Sequence, residues 1–148
     1  MVDRIVSKSL AARHFANLLP TATVWEAAGV MTRTACSSVL IMDPSGTMLG
    51  IITERDLVTR VVSKALDPRT TPVTDVMTRN PQVVRPGTTV SQAVLIMIER
   101  GFRHLPVVGA DGSIVGVFSA RDALPREIDA AMTMAQFHEQ INDALGGG

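Results

Sequence analysis

The stretch GIITERD, residues Gly50 to Asp56, is repeated 66 residues later as GVFSARD, residues Gly116 to Asp122. Each copy holds a glycine, two apolar residues, a hydroxyl residue, a spacer and Arg-Asp. A short apolar run that ends at Thr or Ser before charged residues is typical of a strand that leads into a helix, because these residues are favoured N-caps. The repetition therefore predicts a duplicated structural unit.

The duplication extends well beyond this stretch. The same offset aligns residues 20–57 with residues 86–123 without a gap, and nine of the 38 pairs are identical. Each copy predicts a helix, a hairpin of two strands around a turn that contains Gly, and a second helix capped by Thr53 or Ser119. The predicted strands are SVLIM and MLGIIT in the first copy and LPVV and IVGVFS in the second. Thr23 and Thr89 are the expected caps of the first helices, with Glu or Gln at capping-box spacing.

The flanking segments are less regular. Residues 67–84 predict a Pro-marked linker, a short helical turn and a two-residue strand at Val83 and Val84. The corresponding segment before the first copy, residues 9–19, has lost this pattern and is more helical in character, and the chain after Pro125 predicts a separate amphipathic helix. The predicted divisions are repeat 1 at 5–66, a linker at 67–75, repeat 2 at 76–125, and a C-terminal helix with a Gly tail at 126–148.

The composition argues against several function classes. Fourteen basic residues balance fourteen acidic ones, so no overall field attracts nucleic acid or an anionic membrane. Cys36 is the one cysteine, which excludes an internal disulfide and favours a reducing, cytoplasmic location. No apolar run has the length of a membrane span, and the N-terminus does not resemble a secretory signal.

Enzyme signatures are also missing from the sequence. It contains no Gly-rich phosphate loop and no Ser-His-Asp arrangement with supporting spacing. FHEQIN, residues 137–142, has Asn142 where a zinc-protease motif needs its second His, so no metal site is predicted. We therefore expect a binding protein without catalytic activity and without a required cofactor.

The two copies resemble a tandem pair of CBS domains, often called a Bateman module, over about residues 5–125. The resemblance rests on residues 76–124, VMTRNPQVVRPGTTVSQAVLIMIERGFRHLPVVGADGSIVGVFSARDAL, and on residues 37–57, SSVLIMDPSGTMLGIITERDL. It implies an α+β fold in which two repeats, each a small β-sheet flanked by two helices, pack with pseudo-twofold symmetry, followed by the C-terminal helix. It also implies homodimers and adenosine-containing ligands bound in clefts between the repeats.

The chemistry of the repeated motif agrees with this resemblance. A helix N-terminus offers unpaired N–H groups and partial positive charge, and a Thr or Ser hydroxyl there can donate to a phosphate. An Asp one turn further along is an acceptor suited to the two hydroxyls of a ribose. The family assigns the same roles, with Asp on the ribose and Ser or Thr on the phosphate.

By resemblance, the two clefts have unequal residue sets. The first is expected to contain Thr53, Asp56, Arg103, His104 and Arg121, with a base pocket in the segment from Thr78 through Pro81 to Val83. The second is expected to contain Ser119, Asp122, Ser37, Ser38 and Arg55, with Asn17 and Leu18 at the base position. Because Arg103 and His104 have only serines as counterparts, we expect the Asp56 cleft to hold the more highly charged nucleotide.

Each of these residues also has a plainer explanation. Thr53 and Ser119 could be helix caps only, and Asp56 and Asp122 could merely complement the helix dipole. Arg103 could pair with Glu99, and His104 could be structural.

The function expected from the sequence is regulatory. The module would bind AMP, ADP, ATP or an NAD-like compound and signal to an unidentified regulated protein through a change in repeat or dimer geometry. The alternative is a dimeric protein-interaction scaffold whose nucleotide clefts are vestigial. No nucleic-acid or membrane partner is expected.

Overall fold

The computed structural model describes residues 3–10 and 15–146, which form two compact units. The first-repeat unit is His14–Pro81, and the second-repeat unit combines Met1–Arg13 with Gln82–Gly148. Each unit thus contains one copy of the duplicated sequence together with the segment that precedes the other copy. The divisions predicted from the sequence follow the repeated residues along the chain, and they stay a prediction.

The first-repeat unit is built on a four-stranded sheet in the order β1–β2–β3–β4. Strand β1 (Asn17–Leu18) is parallel to β2 (Ser38–Met42), which is antiparallel to β3 (Met48–Thr53). Strand β4 (Thr78–Arg79) is antiparallel to the other edge of β3. The antiparallel β2–β3 hairpin is therefore flanked on both sides by a two-residue strand.

Helical segments surround this sheet. Helix α2 (Val24–Thr34) lies between β1 and β2 and begins after Thr23, whose hydroxyl oxygen accepts the Glu26 N–H at 3.3 Å. After β3 the chain enters one α-helical turn, α3 (Glu54–Asp56), and continues as a π-helix over Leu57–Val62. A 3-10 turn at Val73–Asp75 leads into β4. The buried apolar core is shared by sheet and helices: Val24, Ala27, Met31, Val39, Ile41, Ile52, Val61, Val73 and Val76.

The second-repeat unit repeats this plan with a shorter sheet. Helix α4 (Val90–Arg100) starts with a complete capping box between Thr89 and Gln92, and the hairpin pairs β5 (His104–Val108) with β6 (Ile114–Ser119). Helix α1 (Val6–Ser9) belongs to this unit, and the long helix α5 (Pro125–Ala144) packs along α4. The core contains Val6, Val84, Val90, Ala93, Val94, Met97, Leu105, Val107, Phe118 and Ala131.

Each unit binds the segment that precedes the other repeat, and the two units do so through equivalent backbone contacts. In the first lead-in segment, residues 3–10, the carbonyl of Arg4 accepts the Val90 N–H at 2.8 Å. In the second lead-in segment, residues 71–81, the carbonyl of Thr71 accepts the Val24 N–H at 2.9 Å. Each segment then buries a valine, Val6 or Val73, completely in the unit that contains the other repeat. The duplication therefore includes an exchange of lead-in segments.

The helices α2 and α4, the four hairpin strands, the two turns and the helix after Pro125 confirm the sequence predictions. Gly46 and Gly112 occupy the left-handed region at the hairpin turns, with φ of 88° and 84°. The Thr23 cap is confirmed; of the two first-helix caps, Thr89 also forms the reciprocal bond of a full capping box and Thr23 does not. The predicted α+β fold class, with a small sheet and helices in each repeat and a C-terminal helix, is correct.

Three predictions about short segments are wrong. The strand expected at Val83–Val84 is reduced to one bridge between Val84 and Val107, and the short strand lies at Thr78–Arg79 instead. Of the described residues in segment 9–19, Ser9 ends α1 and Asn17–Leu18 forms β1 instead of the expected helix; Ala11 to His14 lie outside the described residues. SARDAL forms only a 3-10 turn at Ala120–Asp122 before α5 begins.

Among the described residues, no helix has both the length and the apolar content that crossing a membrane requires.

The glycines that open the two copies of the motif make room for the lead-in segments. A Cβ at Gly50 would lie 2.6 Å from the Thr78 carbonyl oxygen and 2.7 Å from the Met77 sulfur. A Cβ at Gly116 would meet Leu10 at 2.9 Å, through a side-chain methyl group that can rotate away. The contact at Gly50 is with a backbone oxygen that cannot move freely, whereas the contact at Gly116 is with a flexible side chain.

We predict unequal effects for Gly50→Ala and Gly116→Ala. Gly50→Ala should lower the free energy of unfolding by about 1–3 kcal/mol, the usual cost of overpacking, because the Thr78 carbonyl cannot move without breaking the β3–β4 pairing. Gly116→Ala should lower the free energy of unfolding by clearly less. Urea unfolding of both variants measures the difference, and equal or reversed losses would contradict this account of β4.

Candidate functional site

The first copy of the motif forms a reciprocally bonded turn at the end of β3. The Thr53 N–H donates to Asp56 Oδ2 at 2.9 Å, and the Asp56 N–H donates to the Thr53 hydroxyl oxygen at 3.3 Å. Asp56 is buried, with 9% of its surface exposed. The two side chains therefore fix each other at the start of α3, as the capping explanation requires.

The second copy reproduces the main bond of this turn. The Ser119 N–H donates to Asp122 Oδ2 at 2.9 Å, the same distance as in the first copy. Asp122 is half-buried and ends a 3-10 turn rather than entering a long helix. The Thr53 cap is thus confirmed, whereas the bond recorded at the second turn is the one from the Ser119 N–H to Asp122. These turns occupy one carboxylate oxygen of each Asp. A carboxylate has about four acceptor positions, so capping does not prevent a further ligand contact.

An arginine that the sequence analysis did not select lies beside Asp56. Arg60 Nε is 3.6 Å from Asp56 Oδ1, and its Nη1 donates to the carbonyl oxygens of Val76 at 2.9 Å and Met77 at 3.3 Å. The spacing of four residues from Asp56 was the available signal, because such pairs share one helix face. The contacts with Val76 and Met77 depend on tertiary structure and leave no such signal.

Other predicted residues of the first-repeat unit lie around the same hairpin. Ser38 is buried and stands directly opposite Thr53 in the β2–β3 register. Thr78 pairs with Ile51 on the neighbouring β4, and Pro81 follows it half-buried. Leu18, on β1, pairs with Ile41 at the opposite edge of the sheet, and the exposed Arg55 lies in the α3 turn.

The second-repeat unit groups the remaining predicted residues in the same way. His104 stands opposite Ser119 in the β5–β6 register, half-buried, and Arg103 precedes it in an exposed loop. Arg121 is exposed within the 3-10 turn, and Val83 is half-buried before the Val84 bridge.

The structure therefore brings together Ser38, Thr53, Asp56 and Thr78 in one unit. It brings together Arg103, His104, Ser119 and Asp122 in the other. The expected clefts draw on residues of both units, and their composition remains a prediction.

The alternative partner proposed for Arg103 is engaged elsewhere. Glu99, considered as a partner of Arg103, lies with its Oε2 3.0 Å from Nδ1 of His138 on α5. Within residues 3–10 and 15–146, no group of three His, Cys, Asp or Glu side chains is arranged to hold a metal ion. The predicted residues around the two turns offer hydroxyls, carboxylates, guanidinium groups and one imidazole, which are groups able to form charge-assisted hydrogen bonds.

Known proteins resemble this chain over most of its length. An uncharacterized 17.7 kDa protein in the bps2 3' region of Acidianus ambivalens is 36% identical over 129 residues, which cover 87% of this chain and 76% of that protein.

Solved structures share the fold. The CBS domain protein PAE2072 from Pyrobaculum aerophilum, complexed with AMP, has a TM-score of 0.77 and 27% identity, covering 88% of this chain and 99% of that one. CBSX2 in complex with AMP has a TM-score of 0.64 and 26% identity, covering 88% of this chain and 98% of that one.

The family model named CBS domain matches the chain twice, at residues 6–63 and 73–127. Each match contains one copy of the motif and begins within the lead-in segment that precedes it. With both matches in tandem and together covering most of its residues, the chain belongs to the CBS domain family.

Proposed function

We propose that this protein is a regulatory module that binds an adenosine-containing nucleotide at the turns Thr53–Asp56 and Ser119–Asp122. The observation that carries the proposal is the duplicated turn, in which a hydroxyl and a fixed carboxylate recur at the same positions of two hairpins. Two solved relatives with the same fold and over 25% identity are complexes with AMP. The proposal involves binding without catalysis and needs no cofactor.

The bonding at the first turn is compatible with these roles. The Thr53 oxygen accepts from the Asp56 N–H, which leaves its hydroxyl proton available as a donor to a phosphate oxygen. Asp56 uses Oδ2 for the cap, and Oδ1 can accept from a ribose hydroxyl. Because the cap has already ordered both side chains, ligand binding would cost little additional conformational entropy.

The neighbouring strand supports a site for the base. Thr78 on β4 lies beside Ile51, two residues before Thr53 on β3, and the half-buried Pro81 follows. The half-buried Pro81 close to a polar turn would suit adenine, which has an apolar face and polar edges. The segment 78–83 therefore stays our proposed base pocket.

Arg60 offers a physical route from ligand to geometry. It contacts the Asp56 carboxylate and two carbonyls of the second lead-in segment, just before β4. A ribose hydroxyl that binds Oδ1 would compete with Arg60 for this oxygen, and a shift of Arg60 would reach the lead-in segment through the bonds to those carbonyls. The size of such a response is limited by the difference in ligand affinity between the two arrangements.

Exposed apolar side chains support the expected homodimer. The exposed fraction is 54% for Trp25 on α2, and 61% and 73% for Val58 and Val62 on the π-helix. Phe137 and Ile141, in the C-terminal half of α5, are also exposed. Apolar side chains clustered on helices commonly mark protein contacts. The same surfaces favour the second candidate function, a dimeric scaffold that binds a partner protein and no nucleotide.

Isothermal titration with AMP and ATP should distinguish the two functions and the two turns. We expect wild-type protein to bind AMP and Asp56→Ala to weaken nucleotide binding by at least about tenfold, equivalent to about 1.4 kcal/mol. Asp122→Ala should affect ATP binding less than Asp56→Ala does, because the family resemblance implies that Arg103 and His104 face the ligand of Asp56. Glu54→Ala removes an exposed carboxylate from the same turn and should change little.

Different outcomes would contradict nucleotide binding and the inequality of the two sites. No heat and no thermal shift with AMP, ADP, ATP or NAD would favour the scaffold. Equal losses for Asp56→Ala and Asp122→Ala with every nucleotide would contradict only the inequality of the two sites.

Sedimentation velocity should test the dimer. We expect wild-type protein to sediment as a dimer and Val62→Glu to shift it towards monomer, because a charge would have to be buried in an apolar contact. Lys64→Glu alters a nearby exposed charge and should leave the dimer intact. A monomeric wild type, or equal behaviour of the two variants, would exclude this surface as the dimer contact.

A further inference from the structure

The two motif turns continue differently. After Asp56 the chain stays helical through Leu57–Val62, whereas after Asp122 the helical turn stops and Ala123 is extended, with φ of −87° and ψ of 145°. Helix α5 starts only at Pro125. In a continuous helix the Asp122 carbonyl would accept an N–H from the next turn, so this interruption removes its regular partner.

Arg4, from the first lead-in segment, supplies the missing donor. Its Nη2 donates to the Asp122 carbonyl oxygen at 3.0 Å. The same guanidinium forms a two-point pair with Glu127, with Nη2 2.8 Å from Oε1 and Nε 3.0 Å from Oε2. Glu127 Oε1 also accepts the Leu124 N–H at 2.7 Å. Arg4 and Glu127 therefore hold the backbone on both sides of the interruption.

The surrounding structure fixes the positions of both Arg4 and Glu127. Glu127 is only 3% exposed, and the Arg4 hydrogen bond is the main reason that the pKa of Glu127 lies below its ordinary value, so the carboxylate stays charged. The Arg4 carbonyl accepts the Val90 N–H at the start of α4, and the neighbouring Val6 is fully buried. A planar two-point contact restricts orientation more than a single ammonium contact would.

The first-repeat unit has no equivalent of this pair at the matching positions. Thr71 makes the backbone contact that corresponds to that of Arg4, and Val61, buried and apolar, stands 66 residues before Glu127. The two halves of the duplication therefore differ in what holds their Asp turns.

We propose that Arg4 is a positioning residue for the Asp122 half-site, and that the first lead-in segment acts as a latch on that turn alone. Holding the Asp122 carbonyl and the Leu124 amide fixes the direction of the Ser119–Asp122 turn, and so of the carboxylate that would meet the ribose. Release of Arg4 would loosen this turn and leave the Thr53–Asp56 turn unchanged. The inference rests on the proposed nucleotide function and specifies how one of its two sites is controlled.

The positioning claim can be tested on the ligand-free full chain by amide hydrogen exchange. Arg4→Met keeps the aliphatic stem and removes the donors, so exchange at the Ser119 and Leu124 amides should accelerate relative to the α4 amides of the same unit. The matched control Val6→Ala lies in the same segment and removes only apolar packing, so it should accelerate both groups together. Arg4→Lys, which keeps the charge, should be intermediate and provides a milder variant if Arg4→Met does not fold. If Arg4→Met and Val6→Ala accelerated exchange at the same amides to the same degree, the proposed positioning role of Arg4 would be overturned.

The affinity claim is tested by titration with AMP. The binding step of interest is the one that Asp122→Ala abolishes. Arg4→Met should weaken the affinity of this step by about tenfold or more and leave the Asp56-dependent step unchanged. An equal change in both steps, or the same change in Val6→Ala, would overturn the claim. If wild-type protein shows no Asp122-dependent step, the proposed function fails at that site and the affinity claim fails with it, while the exchange experiment still decides whether Arg4 positions the turn.

Discussion

The backbone bonds between the lead-in segments and the first helices are the contacts on which both units depend. The Thr71 carbonyl meets the Val24 N–H, and the Arg4 carbonyl meets the Val90 N–H, at nearly equal distances. Each bond joins a segment that precedes one repeat to the helix of the other repeat. Neither copy of the sequence therefore completes its own core, since one buried valine of each core comes from before the other copy. Stability of one unit should depend on residues distant in sequence, as in other folds with long-range contacts.

The motif that identifies the turns has two physical explanations that do not compete. Asp56 and Asp122 each accept a backbone N–H at 2.9 Å, from Thr53 and Ser119, and so stabilise the helical turns that begin after those two residues. That role alone would justify the residues. A carboxylate fixed by one oxygen nevertheless keeps acceptor positions on the other, and a hydroxyl that accepts a bond can still donate one. The structural role holds these residues in place, which is the preorganisation that the proposed binding of a ribose and a phosphate would need.

The sequence was informative where the signal is local. Helices with apolar residues at helical spacing, hairpins with Gly turns and the Thr89–Gln92 cap depend on neighbours within a few residues, and they were predicted correctly. Strands β1 and β4 have two residues each, too few for any periodic pattern, and exist because β2 and β3 offer unpaired edges. The turn residues Thr53, Asp56, Ser119 and Asp122 were found through the repeat. The Arg4–Glu127 pair spans 123 residues and could not be found.

The central claim is that the repeated turns are nucleotide half-sites, and a crystal structure of the protein with AMP tests it most directly. The account predicts ribose hydroxyls within hydrogen-bond distance of the Asp56 carboxylate and a phosphate oxygen within reach of the Thr53 hydroxyl. AMP bound away from both the Thr53–Asp56 and Ser119–Asp122 turns, or no bound nucleotide in crystals saturated with AMP, would contradict it.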